Sequence, residues 1–84
     1  MFSSRFQKPL IVTRHAMQRM VERDVDADLV NQIIDRGEIR FSDASRLWAW
    51  MHVPDRDDNL ICLAAVLEDA VIVKTVMHHW EVGR

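Results

Sequence analysis

His15, Arg19 and Arg23 stand at i, i+4 and i+8 in the stretch TRHAMQRMVER, a spacing that lines them along one edge of a helix and lets them reach one surface together. A second set lies in residues 46–53, where Arg46, Trp48, Trp50 and His52 alternate with Leu47, Ala49, Met51 and Val53. A third falls in the last apolar segment, where Lys74 and His78 share a phase with Ile72, Val76 and Trp80. Together these types could cleave RNA without a metal. A base takes the 2′-hydroxyl proton as that oxygen bonds to phosphorus, cations stabilise the negative charge on the oxygens of the pentavalent phosphorane, and an acid protonates the 5′-oxygen as its bond to phosphorus breaks. Imidazole does either proton task near neutral pH, so His15 and His78 are the acid/base candidates. Arg19, Arg23 and Lys74 are candidates to hold phosphate. Trp48 and Trp50, flanked by Arg46 and His52, could stack single-stranded bases.

Each set also has a plain structural reading. Arginines beside an apolar stripe lie over the core edge with their heads in water, and Glu22 is placed to pair with Arg19. The Trp face could instead cover the C-terminal tail or meet a partner, since Trp is favoured at protein interfaces. A strand register wrong by one residue would exchange every face assignment. The basic first helix leaves double-stranded DNA as a weaker alternative, one that would require steep salt dependence.

Metal and cofactor chemistry is not expected. The four His and one Cys carry no HExxH or CxxC spacing. Asp55, Asp57 and Asn59 imitate the start of a calcium loop, but Leu60 stands where Gly is needed and Val66 where the bidentate Glu belongs. The two glycines, Gly37 and Gly83, cannot make a glycine-rich phosphate loop. Cys62, inside LICLAAV, reads as a buried small hydrophobe with no neighbour to activate it.

The elements that must position these residues follow from periodicity. Residues 1–8 are polar and mixed and read as a mobile end, and Leu10-Ile11-Val12 as a short edge strand or a plug for the first helix. Thr13 is an N-cap for a helix whose stripe is Ala16, Met17, Met20 and Val21. Asp26 caps a second helix with stripe Leu29, Val30, Ile33 and Ile34, Asp28 and Arg36 suit its dipole, and Gly37 reads as a left-handed C′ residue. The period then changes to two. Strands are expected at 38–41, 46–53, 60–67 and 71–79, with Val71, Val73, Thr75, Met77 and His79 against the helices. The predicted fold is α+β, two N-terminal helices on a small antiparallel sheet of three to four strands.

At 84 residues the chain reads as a single domain with a modest core. Its composition is that of a globular protein, and no apolar run is long enough to span a membrane, so no membrane partner is expected. MFSSRFQKPL has no secretory h-region, making cytoplasmic placement the default. The net charge of −2 is unevenly spread: residues 1–23 carry five basic side chains against one acidic, and residues 24–45 six acidic against two basic. An RNA partner would have to meet a local basic edge, because no global positive field steers it.

The stretches Thr13-Arg14-His15-Ala16, Arg19-Met20, Glu22-Arg23, Gly37-Glu38 and Val71–Val76 resemble a small bacterial domain-of-unknown-function family, DUF4258, similar to toxins of the RelE, ParE and BrnT types. The resemblance covers Leu10 to His78. It implies a RelE/barnase-like scaffold, two helices on an antiparallel sheet, and a toxin or toxin-derived ribonuclease. The family's marked His, Arg and Thr positions correspond here to His15, Arg19, Arg23 and Thr75. Two features depart from the pattern, the acidic overall charge and the ending His78-His79-Trp80. The function expected is a metal-independent endoribonuclease or a degenerate relative. The alternative is a non-catalytic interaction module whose Trp48/Trp50 face binds an antitoxin-like protein or a second copy.

Overall fold

A computed structural model describes residues 1–54 and 60–78, the side chain of His78 excepted. In chain order its elements are β1 (Phe2–Ser3), β2 (Lys8–Val12), α1 (Arg14–Glu22), α2 (Ala27–Arg36), β3 (Glu38–Phe41), β4 (Arg46–His52), β5 (Leu60–Leu67) and β6 (Val71–His78).

Helix α1 begins where Thr13 accepts a hydrogen bond from the Ala16 amide at 3.1 Å. It ends in a Schellman turn. Asp24 takes φ 54°, its amide donates to the Val21 carbonyl, and the Val25 amide reaches back to Met20 at 2.9 Å. Buried Val25 then packs beside Met20 and fixes the turn to α2. Helix α2 starts on Asp26, whose carboxylate accepts from the Leu29 amide at 2.8 Å, and buries Val30, Ile33 and Ile34 completely. The α1 stripe is narrower than its sequence suggests. Ala16 is buried, whereas Met17 and Val21 are exposed, because the helix turns its Ala16–Met20–Arg23 side to the sheet.

The sheet corrects the expected architecture. It has six strands in the order β1-β2-β6-β5-β4-β3 and is mixed: β2 runs parallel to β6, pairing Leu10 with Val71 and Val12 with Val73. Two strands precede the helices, so these are not N-terminal, and an antiparallel sheet of three to four strands undercounts it. The extra strands come from the first twelve residues. Leu10-Ile11-Val12, expected as an edge strand or a plug for the first helix, is part of an interior strand, with β1 on one side and β6 on the other.

Residues 1–8 make specific contacts with the end of α2. Ser3 is fully buried, and its hydroxyl donates to Asp35 Oδ1 at 2.7 Å. The Ser4 and Arg5 amides donate to the same carboxylate, and Arg5 Nη1 caps the Ile34 and Gly37 carbonyls at the end of α2. Partial burial pushes the Asp35 carboxyl up, but these donors and the Arg5 charge outweigh it and hold the group below its ordinary value. A depressed carboxylate contributes stability above its unfolded pKa, and that contribution disappears as pH falls through the folded value. Asp35→Ala should cost about 1–3 kcal/mol at neutral pH by stranding the Ser3 hydroxyl, and the difference from wild type in urea titrations should shrink on acidification.

Helices and core lie on one side of the sheet. Val30, Ile33, Ile34 and Ala16 pack with Leu10, Leu47, Ala49, Ile61, Leu63, Ala65, Val71, Val73 and Val76. The opposite face carries Trp48, Trp50, Cys62 and Ala64 by alternation. One irregularity breaks that alternation. Ala65 pairs with Val73 but Ala64 pairs with Thr75, so Lys74 is an extra residue in β6, a β-bulge. Beyond it the phase inverts. Thr75 and Met77 move to the Trp face and Val76 into the core, which corrects the expectation that Thr75 and Met77 face the helices. Deleting Lys74 leaves every other pairing of β6 intact. The deletion variant should therefore fold, with unchanged far-ultraviolet circular dichroism, and lose only the ~0.5–1.5 kcal/mol of the hydrogen bond that the Lys74 carbonyl accepts.

Candidate nucleic-acid interface

The turn Ser42–Ser45 is built around Asp43, whose Oδ1 accepts from the Ser45 amide at 2.9 Å and the Arg46 amide at 2.8 Å. Those amides hold the exposed carboxyl below its usual range. Ser45 is then anchored to the neighbouring hairpin, its carbonyl accepting the Leu67 amide at 2.6 Å. This brings the β3–β4 turn beside the β5–β6 turn. Between them, on the face away from the helices, lies a groove of 720 Å³ lined by Trp48, Arg46, Lys74, Glu68, Ser42 and Ser45, among others.

Trp48, Ala64 and Thr75 are opposite one another across β4, β5 and β6. The indole of Trp48 is partly buried and lines the groove with Ala64, and the exposed Lys74 of the bulge lines it too. Arg46 is also largely exposed, with Asp43 Oδ2 at 3.9 Å from its Nε. An indole flanked by a guanidinium and an ammonium suits a base stacked beside its phosphates. Glu68, Ser42 and Ser45 are groove residues that sequence reasoning missed. They sit in turns with no periodicity to mark them, and only tertiary pairing brings them to Trp48.

The remaining predicted residues are distributed differently. Arg19 and Arg23 do share a surface, but they share it with Glu22, whose Oε1 lies 2.7 Å from Arg19 Nη1 and 3.6 Å from Arg23 Nη1. His15 is exposed on the same helix. This row belongs to the helix side of the sheet, whereas Trp48 and Trp50 stand on the other. Trp50 pairs with Cys62 and does not line the groove, and exposed His52 pairs with Leu60 near the end of β4. Lys74 and His78, read from sequence as one phase, are separated by the bulge: His78 pairs with core residue Ile61, and its side chain lies outside the described residues. His79, Trp80 and the calcium-like Asp55, Asp57 and Asn59 also lie outside them.

The two halves of the sequence motif nevertheless meet. Thr13 donates its amide to the Val73 carbonyl at 3.1 Å and its hydroxyl to the Lys74 carbonyl at 3.3 Å. The N-terminus of α1, with His15 two residues on, is thereby fastened to the bulge. Cys62 is buried at the centre of the Trp face, and burial pushes its thiol up to about 11, which keeps it protonated and unreactive at neutral pH. Among the described residues no three His, Cys, Asp or Glu side chains cluster to hold a metal ion, and no helix is long and apolar enough to cross a membrane.

Residues 12–78 match a family described as a domain of unknown function, DUF4258. The chain belongs to this family. The matched span of this DUF4258 domain opens at Val12, the last residue of β2, and closes at His78, the last of β6. It therefore encloses the groove, the α1 row and the Thr13–Lys74 junction, and leaves out β1 and most of β2. No curated protein and no solved structure matches the chain.

Proposed function

We propose that this DUF4258 domain binds single-stranded RNA in the Trp48 groove, as a toxin-like, metal-independent endoribonuclease or a degenerate relative of one. The observation that carries the reading is the bulge in β6, which brings Lys74 into the lining of the groove that also holds Trp48 and Arg46, so that one groove offers an aromatic surface and two cations. The resemblance of its motifs to RelE, ParE and BrnT-type toxins supports RNA as the polymer, a cytoplasmic setting and an antitoxin-like protein as a natural inhibitor. For cleavage, His15 is the acid/base candidate that the family resemblance marks; it lies on the helix side of the sheet, and a strand leaving the groove would reach it by crossing the Thr13–Lys74 junction. Arg19 and Arg23, which share Glu22 as an ion-pair partner, are the candidates to hold a strand that crosses that edge.

The test is titration with labelled single-stranded RNA in excess chelator, at several salt concentrations. For a strand short enough to occupy only the groove, the two groove cations Arg46 and Lys74 predict a log–log salt slope of about −1.4, falling to about −0.7 in Lys74→Ala. His15→Ala should abolish any chelator-resistant cleavage while leaving binding in place. Binding without cleavage identifies the degenerate relative. A folded wild type that does not bind RNA sinks the proposal and leaves the Trp face as a protein-binding surface.

A further inference from the structure

Among the described residues strand β3 is one edge of the sheet, β1 being the other, and its open side has a definite hydrogen-bonding phase. The Ser42 amide donates to the Arg46 carbonyl, and the Leu67 amide to the Ser45 carbonyl. Bonded pairs alternate along antiparallel ladders, so Arg40 and Glu38 exchange bonds with Trp48 and Trp50. Ile39 and Phe41 therefore point their backbone N–H and C=O groups away from β4, into the open.

We infer that two copies of this chain join through β3 in antiparallel self-pairing, with the two-fold axis at Ile39. The charges select this register. Only outward-facing residues can pair across the edge, so the register can shift only in steps that move the axis by one residue. An axis at Arg40 sets Arg40 against Arg40, and an axis at Glu38 sets Glu38 against Glu38, both destabilising. An axis at Ile39 sets Glu38 against Arg40 of the second copy, twice. Both side chains are exposed, and neither has an ion-pair partner among the described residues.

The same register satisfies the other face. Ile39 meets Ile39, and Phe41, which is 47 % exposed, falls opposite Gly37, the one position with no side chain to obstruct it. A groove of 490 Å³ lies there, lined by Arg5, Phe6, Gly37, Glu38, Ile39 and Phe41, where the second copy's phenyl ring can seat. The Ile39 pair exchanges two backbone bonds, and each Phe41 amide donates to a Gly37 carbonyl, which also accepts Arg5 Nη1 at 2.7 Å. The interface is isologous, closes at two copies and covers the β3 edge of each; the Phe41 carbonyl keeps its solvent contact, because the Gly37 amide opposite it donates to Ile33. Arg40 pairs with Trp48, but none of the β3 residues of the interface lines the Trp48 groove, and oligomeric state is read without RNA, so the test is independent of that reading.

Sedimentation equilibrium across a concentration series tests the pairing. Wild type should dimerise. Arg40→Glu should weaken association about fourfold or more, since two attractive pairs become two like-charge ones, each contact being worth ~0.2–1 kcal/mol. The double exchange Glu38→Arg with Arg40→Glu should restore it, with circular dichroism confirming that each variant is folded. A wild type monomeric throughout the series overturns the proposal, as does an Arg40→Glu variant that dimerises like wild type or a double exchange that fails to recover.

Discussion

Gly37→Ala should unfold the domain or lower its melting temperature by roughly 12–24 °C, the equivalent of about 3 kcal/mol in a domain of this size. A Cβ at this position would stand 2.5 Å from the Ile33 carbonyl oxygen and 2.6 Å from that of Trp50. Both obstacles are backbone, one in the last turn of α2 and one in β4, so neither can swing aside as a side chain could. The glycine is needed for this approach and not for a left-handed conformation: its φ is −72° and ψ 176°, ordinary extended values. Its amide meanwhile donates to Ile33 at 2.9 Å, closing the helix. Thermal denaturation followed by circular dichroism measures the effect. A loss of only a few degrees would mean that α2 can lift away from β4 cheaply, and that the helix end does not set the height of β3.

Trp48→Ala should weaken single-stranded RNA binding by about 5- to 150-fold, corresponding to the ~1–3 kcal/mol of a stacked base, whereas Trp50→Ala should change it by no more than about twofold. The two residues are alike in sequence, two apart on one strand face. What separates them is the neighbouring chain. Trp48 lies opposite Ala64 with Arg46 and Lys74 around it, while Trp50 lies opposite buried Cys62 and outside the groove. Trp48→Phe, keeping an aromatic surface, should recover part of the affinity. Equal losses in the two alanine variants, both folded, would place the binding surface across the whole sheet face and not in the groove.

How much of this was legible in the sequence depended on where the information lay. The caps Thr13 and Asp26 were readable because a short polar side chain before an apolar stripe has a local purpose, and β3 and β5 fall at their expected bounds. The α2 stripe was readable for the same reason, all its weight lying on one side. Gly37 was recognised as special, though its cause was tertiary: the nearby Trp50 carbonyl belongs to a strand thirteen positions on. The parallel pairing of β2 with β6 left no local trace. Nor did the bulge at Lys74, where no glycine or proline marks the irregularity and strict alternation through Val71–His78 seemed the simplest pattern. That single inserted residue exchanged Thr75 and Met77 with Val76, and with them the composition of the candidate site.

The pairing of β2 with β6 also governs when the fold can close. Leu10 waits for Val71, and Thr13 for Val73, so the first interior strand has no neighbour on that side until nearly the whole domain has been synthesised. At ~5–20 residues per second, the interval between translating the two strands is roughly 3–12 s, far longer than helix or hairpin formation takes. The β3–β4–β5 meander can assemble within that interval, but α1 is left without β6 to lie on. Folding should thus finish with a slow, cooperative docking of the N-terminal segment onto the last strand, and a nascent chain halted before Val71 should display Leu10, Ala16 and Met20 to any chaperone that binds exposed apolar segments.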